Sequence, residues 1–486
     1  MVAVRHCCSC SKRATSGRPR PSKGILALAL APTSAPLGAT RAYAAIRNPI
    51  MAPYVYWAIS IDPTALLRQQ YRLMRRRAVI TGLGIVAPIG TGVEKFWRAA
   101  CSGHSGIGCV TLFDCSKLAP ECGIAAEVSD FVAEHWMPGR ISKRAGRFTQ
   151  FAVASAKMAL ADGRLDLGQI RADRIHISIG TAMNGLADVA EPNYLAFLEG
   201  APVSQWCALE YPAHSATNHI ATLAGAHGST NTVATACAAG LDAIAWAAEQ
   251  VERDAATLVL AGGTESPLSP YTLTAIHSAG VLSKWSGAPA RASRPFDKLR
   301  DGLVVGEGAA VIVVEEEEHA RARAARIYAS ILGFASLSEG GHLRRVDETG
   351  NSDARVMIRA LKQADRSPQD IDYVSAHGNS MVDYDAAETA GIKKAFGSHA
   401  WSIPVSSIKS MLGQAFAASG AMQVVAACLS LRDGIVPPTI NYDVRDPACD
   451  LDYVPNVARH VRVRTALVHA HSMGGSHSAL VLGRPT

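Results

Sequence analysis

The chain has 486 residues, 48% hydrophobic, 18% charged and 6% aromatic, with 41 Gly and 24 Pro. That apolar fraction excludes a mainly disordered protein, and no apolar run is long enough for a membrane-spanning helix. The net charge of +7 sits at one end: residues 1–73 hold ten Lys/Arg against the single acid Asp62, a net of +9 that leaves −2 for the other 413 residues, so bulk charge gives no reason to expect nucleic-acid binding.

Residues 1–73 read as an extension, Arg-, Ser- and Pro-rich and without sustained periodicity. Three readings stay open for them. The acid-poor composition suits an organelle transit peptide; a start set too far upstream would make Met74 the true first residue; a disordered arm is the third. A secretory signal fits poorly, because the apolar stretch 24–31 is short and ends in proline.

From Ala78 onward, short β-branched runs alternate with Ala-rich stretches, which predicts an α/β fold. Strands are expected at 78–81, 176–179, 257–260, 310–314, 373–375, 405–407 and 466–469, and long helices at 239–252 and 418–431. Segments 231–252 and 405–431 echo each other, each a strand, a small-residue turn and an Ala-rich helix, so duplication of one α/β unit is plausible. The run of four Glu at 315–318 reads as a solvated helix start. Three of the eleven cysteines crowd at positions 7, 8 and 10; the other eight are scattered without a CxxC pair among them, which fits a reduced, cytoplasmic protein.

Chemistry concentrates at Thr235-Ala-Cys237-Ala-Ala-Gly240, where a cysteine lies between a β-type run and a helix of small residues. Unpaired N–H groups at a helix start favour thiolate and can cradle an oxyanion. Cys237 is therefore expected to have a lowered pKa and to acylate and alkylate faster than the other ten cysteines. Alone, a cysteine among alanines is more often a buried apolar residue.

Its companions resemble the β-ketoacyl-acyl carrier protein synthases, specifically the type II elongating class. The likeness runs through residues 76–486: Arg76-Arg77-Ala-Val-Ile-Thr-Gly-Leu-Gly84, the Cys237 signature, Gly262-Gly-Thr-Glu-Ser-Pro-Leu-Ser-Pro270, Ala292-Ser-Arg-Pro-Phe-Asp297, Arg300-Asp-Gly302, Gly306-Glu-Gly308 and Val436-Pro-Pro-Thr-Ile-Asn441 fall in family order. The resemblance implies a thiolase-like, five-layered αβαβα fold of two similar halves, 74–325 and 326–486, usually dimeric.

It also assigns roles. Cys237 is the nucleophile, with its backbone N–H and that of Met473 as oxyanion hole. His377, in Ser375-Ala-His377-Gly-Asn-Ser-Met381, takes the first His position, and Asp385 and Glu388 support its loop. Lys409 keeps its usual place, but Gln414 stands where a second His is expected; an amide can donate a hydrogen bond but cannot titrate. Asn379 and Met381 replace threonines that commonly hold the pantetheine arm. Met183 lines the acyl tunnel, and Met473, Gly474 and Gly475 form the pocket mouth. The segment from His469 to His477 departs from the usual Asn-Ser-Phe-Gly-Phe-Gly-Gly-Thr-Asn. Its three histidines invite a metal reading, yet no carboxylate or cysteine nearby in sequence completes a ligand set, so no metal and no other cofactor is expected. Arg140, Lys143, Arg144 and Arg147 form either a docking patch for acyl carrier protein or a solvated helix face.

The implied activity is decarboxylative Claisen condensation of an acyl chain on Cys237 with malonyl-acyl carrier protein, in fatty acid or polyketide synthesis. The partners are acyl carrier protein, acyl and malonyl thioesters, and a second subunit, identical or related; no nucleic acid or membrane is implied. Two alternatives remain: a non-decarboxylating acyltransferase on the same fold, kept open by Gln414, and the partner subunit of a heterodimeric ketosynthase, which a retained Cys237 disfavours.

Overall fold

The computed structural model describes residues 76–485; the extension 1–73 lies outside the described residues. Ten strands carry the architecture: β1 (Ala78–Ala87), β2 (Ile175–Gly180), β3 (Thr230–Val233), β4 (Leu258–Glu265), β5 (Gly308–Glu316), β6 (Ala329–Ser338), β7 (Tyr373–Ser375), β8 (Val405–Ser406), β9 (Thr465–His471) and β10 (Ser476–Gly483). In space they run β8-β7-β9-β10-β6-β1-β5-β4-β2-β3. Each set of five therefore has the same internal order, third-second-fourth-fifth-first. The two sets meet only where Val79 pairs with Ser330 and Ile80 with Ala329.

Six helices complete the repeat: α1 (Arg147–Asp162), α2 (His214–Ala224), α3 (Ala239–Glu252), α4 (Asn351–Ala364), α5 (Val382–Phe396) and α6 (Phe416–Asp433). Helix α1 packs on β1 and β5 and against α2, while α4 packs on β6 and β10 and against α5. Between the two sets of strands, α3 and α6 lie against each other and against strands of both halves. The result is the expected five-layered αβαβα arrangement. Strands covered on both faces read as continuous apolar runs, and all of β1, β4 and β5 is buried.

Small residues permit the middle layer. A Cβ on Gly240 of α3 would lie 2.3 Å from the Ala417 carbonyl oxygen of α6. Any side chain there would force the helices apart, and with them the two sites built at their N-termini. Alanine elsewhere in α3 costs no side-chain entropy in a helix.

Two expectations are corrected. Glu315 is not solvated: it is fully buried at the end of β5, accepting from the Thr81 hydroxyl at 2.6 Å and from Arg323 at 2.7 Å. Glu316 and Glu317 are buried beside it. The strands expected from sequence also omit β6 and β10. The second half of β6 alternates between exposed and half-buried positions, and β10 opens on Ser-His rather than on an apolar run. Among the described residues, no helix is long and apolar enough to cross a membrane, and the eight described cysteines are all free.

Candidate active site

Strand β3 leads to Ala236, held in the left-handed region at φ 49°, a conformation that costs a non-glycine residue about 1–2 kcal/mol. Residues 236–238 form a single tight turn that continues into α3, so Cys237 sits beneath the helix N-terminus. It is only 4% exposed. Burial pushes the thiol up to about 12, with Lys409 opposing, Glu265 adding to the rise and a hydrogen bond from Gln414 opposing. The expected lowered pKa is thus corrected: the helix-terminal N–H groups favour thiolate, but desolvation outweighs them.

Gln414 lies just before α6. Its Nε2 donates to Cys237 Sγ at 3.1 Å. Its Oε1 accepts from the Ser419 hydroxyl at 2.9 Å, and Ser419 Oγ in turn accepts from the Ala415 N–H at 3.0 Å. These three bonds run donor to acceptor in one direction and fix which end of the amide faces the sulfur. All four residues are buried.

His377 follows β7. Its N–H donates to Glu388 Oε1 at 2.6 Å and the Gly378 N–H to Glu388 Oε2 at 2.8 Å. Gly378 has φ 36°, and a Cβ there would meet Phe296 and Ser407 at 2.7 Å, so the turn requires glycine. The His377 Nδ1 accepts from the His471 N–H at 3.4 Å, which leaves the proton of the neutral ring on Nε2. That nitrogen is buried without a hydrogen-bond partner. Burial, then Lys409 and the nearby histidines, hold the imidazole well below its ordinary range. His377 is therefore a neutral donor.

Lys409 Nζ donates to the His377 carbonyl at 2.5 Å and to Gln423 Oε1 at 2.9 Å. Burial pushes its pKa down to about 8, opposed by Glu388, Cys237 and Asp385. Asp385 accepts from the N–H groups of Asn379 at 3.0 Å and Phe296 at 2.8 Å. Burial pushes Asp385 up to about 7, with Arg300 opposing.

Two family descriptions match in tandem: "Beta-ketoacyl synthase, N-terminal domain" over residues 75–320 and "Beta-ketoacyl synthase, C-terminal domain" over residues 328–443. The chain belongs to the beta-ketoacyl synthase family. It is 39% identical over 425 residues to the tetracenomycin polyketide synthase ketoacyl synthase alpha subunit of Streptomyces glaucescens, covering 85% of this chain and 98% of that one. It is 38% identical over 412 residues to 3-oxoacyl-[acyl-carrier-protein] synthase 2 of Coxiella burnetii, covering 84% and 99%. Among solved structures, a ketosynthase described as bound to a hexaketide and in complex with its type II PKS acyl-carrier protein superposes with a TM-score of 0.79 at 35% identity, covering 85% of this chain and all of the other. The ishigamide ketosynthase/chain length factor superposes at 0.77 with 31% identity and the same coverage.

As a beta-ketoacyl synthase, the protein is an acyl-transferring condensing enzyme. The fold brings Met183, Met381 and Met473 into the apolar cluster that contains Cys237. Asn379 is turned inward, its Oδ1 accepting from the Met381 N–H at 3.0 Å. Gly474 and Gly475 both have positive φ, 93° and 81°, in the turn between β9 and β10. The four basic residues separate. Arg147 forks onto buried Glu307 at 2.7 and 2.9 Å, and Arg144 stacks on Trp206 at 3.7 Å and faces Glu210 at 3.3 Å. The docking expectation is corrected to that extent: Arg144 and Arg147 serve the fold, while Arg140 and Lys143 are exposed.

Sequence reasoning missed four residues of the site. Ser419 sets the Gln414 amide. Gln423 Nε2 donates to the carbonyls of Ala376 at 2.8 Å and of Ser375 and His469, each at 3.1 Å, tying α6 to β7 and β9. Glu265 accepts from the N–H groups of Ala182 at 2.8 Å, Met183 at 2.9 Å and Ala417 at 3.3 Å, so it joins the Met183 loop to α6. Phe416, at φ 37°, is buried in the Cys237 cluster. Glu265 lies within the Gly262–Pro270 motif, a signal the sequence carries; the other three lie on a helix that reads simply as apolar.

Proposed function

We propose that this enzyme carries an acyl chain on Cys237 and extends it by two carbons through decarboxylative condensation with malonyl-acyl carrier protein. The supporting observation is the oriented amide of Gln414, 3.1 Å from Cys237 Sγ, and with it goes the neutral donor on buried His377 Nε2, which has no hydrogen-bond partner. In the first half-reaction Cys237 Sγ attacks the acyl thioester carbonyl, the carrier thiol leaves, and the cysteine proton goes to that thiol. The N–H groups of Cys237 and Met473 hold the oxyanion. In the second, the malonyl C–C bond to the carboxylate breaks and carbon dioxide leaves. The electron pair forms an enolate whose oxygen accepts from His377 Nε2–H and Gln414 Nε2–H. The enolate carbon attacks the acyl-cysteine carbonyl, the C–S bond breaks, and the Cys237 thiolate takes up a proton. Lys409 acts as a positioning residue through the His377 carbonyl.

The ligand and partner assignments belong to the same proposal. Met183, Met381 and Met473 line the acyl channel; Asn379, Gly474 and Gly475 border the pantetheine path. Arg140 and Lys143 meet the acidic carrier protein. The halves divide at 325/326, the working unit is a dimer with an identical or related chain, and the enzyme acts in the cytoplasm. Relatives named as a 3-oxoacyl-[acyl-carrier-protein] synthase and as a polyketide synthase subunit match at near-equal identity, so the reading covers both fatty acyl and polyketide chains. Intact-protein mass spectrometry with acyl- and malonyl-carrier protein tests it. An acyl adduct on Cys237, followed by a β-ketoacyl product and one carbon dioxide per turnover, is the expected outcome. Loading without carbon dioxide would transfer the site to the acyltransferase reading.

A further inference from the structure

The C-terminal half holds a buried polar cluster that the condensation does not use. Asp353 on α4, His469 on β9 and His477 on β10 converge with side chains 0%, 0% and 1% exposed. Asp353 Oδ1 lies 3.4 Å from His469 Nε2 and 3.6 Å from His477 Nδ1, and a set of ligand atoms from the three residues lies within 4.8 Å of one another. The edge of a tetrahedron around zinc, with bonds of about 2.0–2.1 Å, is about 3.4 Å.

The surroundings prepare these nitrogens as ligands. His469 Nδ1–H donates to Glu388 Oε1 at 2.6 Å, and His477 Nε2–H donates to Glu339 Oε1 at 2.8 Å. A carboxylate on the far ring nitrogen is the arrangement that metal-bound histidines show, because it fixes the tautomer and leaves a lone pair on the other nitrogen. Here those lone pairs, on His469 Nε2 and His477 Nδ1, face a carboxylate in a dry interior. Both nitrogens and Asp353 Oδ2 lack a hydrogen-bond partner. Lone pairs set against an anion repel one another unless a proton or a metal cation lies between them. His471 Nδ1 donates to Asp353 Oδ1 at 3.0 Å and leaves Oδ2 free.

We propose that Asp353, His469 and His477 bind one divalent cation of the zinc class, with water as the fourth ligand. Two imidazoles and one carboxylate suit zinc and its neighbours, not magnesium or calcium, which take oxygen ligands. The carboxylate that sequence proximity did not offer comes from 116 residues upstream of His469. Both histidines stand where the family pattern reads asparagine, so the site is a feature of this chain's departure from that pattern. Its role is structural: it ties α4 to both strands flanking the turn that carries Met473, Gly474 and Gly475.

The test uses the full-length protein purified without chelators, with elemental analysis and X-ray absorption at the zinc edge. The expected result is about one metal per chain, with nitrogen and oxygen scatterers at about 2.0–2.1 Å and no sulfur. His469→Asn and His477→Asn, each restoring the family residue, are expected to lower occupancy at least tenfold while keeping the circular dichroism spectrum. Chelation is expected to lower the wild-type melting temperature and leave the variants' unchanged. Titration of chelated wild type with Co²⁺ gives an independent readout, a tetrahedral visible spectrum saturating at one equivalent. The proposal is overturned by wild type that takes up neither Zn²⁺ nor Co²⁺, by a sulfur ligand, or by Asn variants that retain the metal.

Discussion

The two halves share one strand order and one device, a non-glycine residue in the left-handed region at a helix start: Ala236, in the turn that leads into α3, and Phe416, the first residue of α6. They use it differently. In the first half the residue after the strained position is the sulfur nucleophile. In the second it is an alanine whose N–H is bound to the Glu265 carboxylate. The second half instead contributes the donors, Gln414 and His377, from the loops that follow β8 and β7. A duplicated scaffold thus offers two similar helix starts, and side-chain chemistry decides that one attacks while the other is tied to the Glu265 carboxylate.

The sharpest way to break that comparison is to exchange the two positions. Cys237→Ala is expected to abolish acyl loading, and adding Ala417→Cys is expected not to restore it, because the N–H groups needed for the oxyanion are not free at the second site. Acyl adducts measured by mass spectrometry decide it; an adduct on the introduced thiol of the double variant would show the two starts to be interchangeable.

The sequence made the nucleophilic half legible because its signal is local: strand, turn, Cys237 and small-residue helix fall within 22 residues. His377, Lys409 and Gln414 were legible for the same reason, each within a short motif after a strand. What was not legible depends on distance. Glu265 lies 152 residues from Ala417, and Gln423 reaches Ser375 and Ala376 across 48 and 47. The depth of Cys237 is also a tertiary property, which is why helix-start reasoning gave the wrong direction for its pKa.

A smaller effect concerns the brace of the Gln414 amide. Ser419→Ala removes the hydroxyl that fixes the amide's orientation, so condensation is expected to slow by about fivefold, in keeping with one lost neutral hydrogen bond of about 1 kcal/mol. Acyl loading and melting temperature should change little, and Ser419→Thr should recover the rate. An unchanged condensation rate in Ser419→Ala would remove Ser419 from the site.

The mildest effect is on pH. With the Cys237 thiol pushed up to about 12, the thiolate fraction and the loading rate should rise with pH across the neutral range. Lys409, pushed down to about 8, loses its charge above that pH, and with it the influence that lowers the thiol. The log rate should therefore rise to about pH 8 and then flatten. In Lys409→Met the bend should vanish, at a lower overall rate. Single-turnover loading followed from pH 6 to 9 checks this, and a bend that persists in the variant would assign it to another group.

The central claim is that the amide of Gln414 does the work of a hydrogen-bond donor to the enolate, and carbon dioxide release from malonyl-carrier protein by pre-acylated enzyme tests it most directly. Losing one such donor costs about 3–4 kcal/mol, a factor of about 100–1,000. Gln414→Ala is accordingly expected to slow release by that factor while loading of Cys237 stays within a few-fold, and Gln414→Glu should be no better than alanine, because a carboxylate only accepts and repels the enolate. Gln414→His, which returns a ring N–H to the position, should restore release. Equal release by wild type and Gln414→Ala would contradict the account.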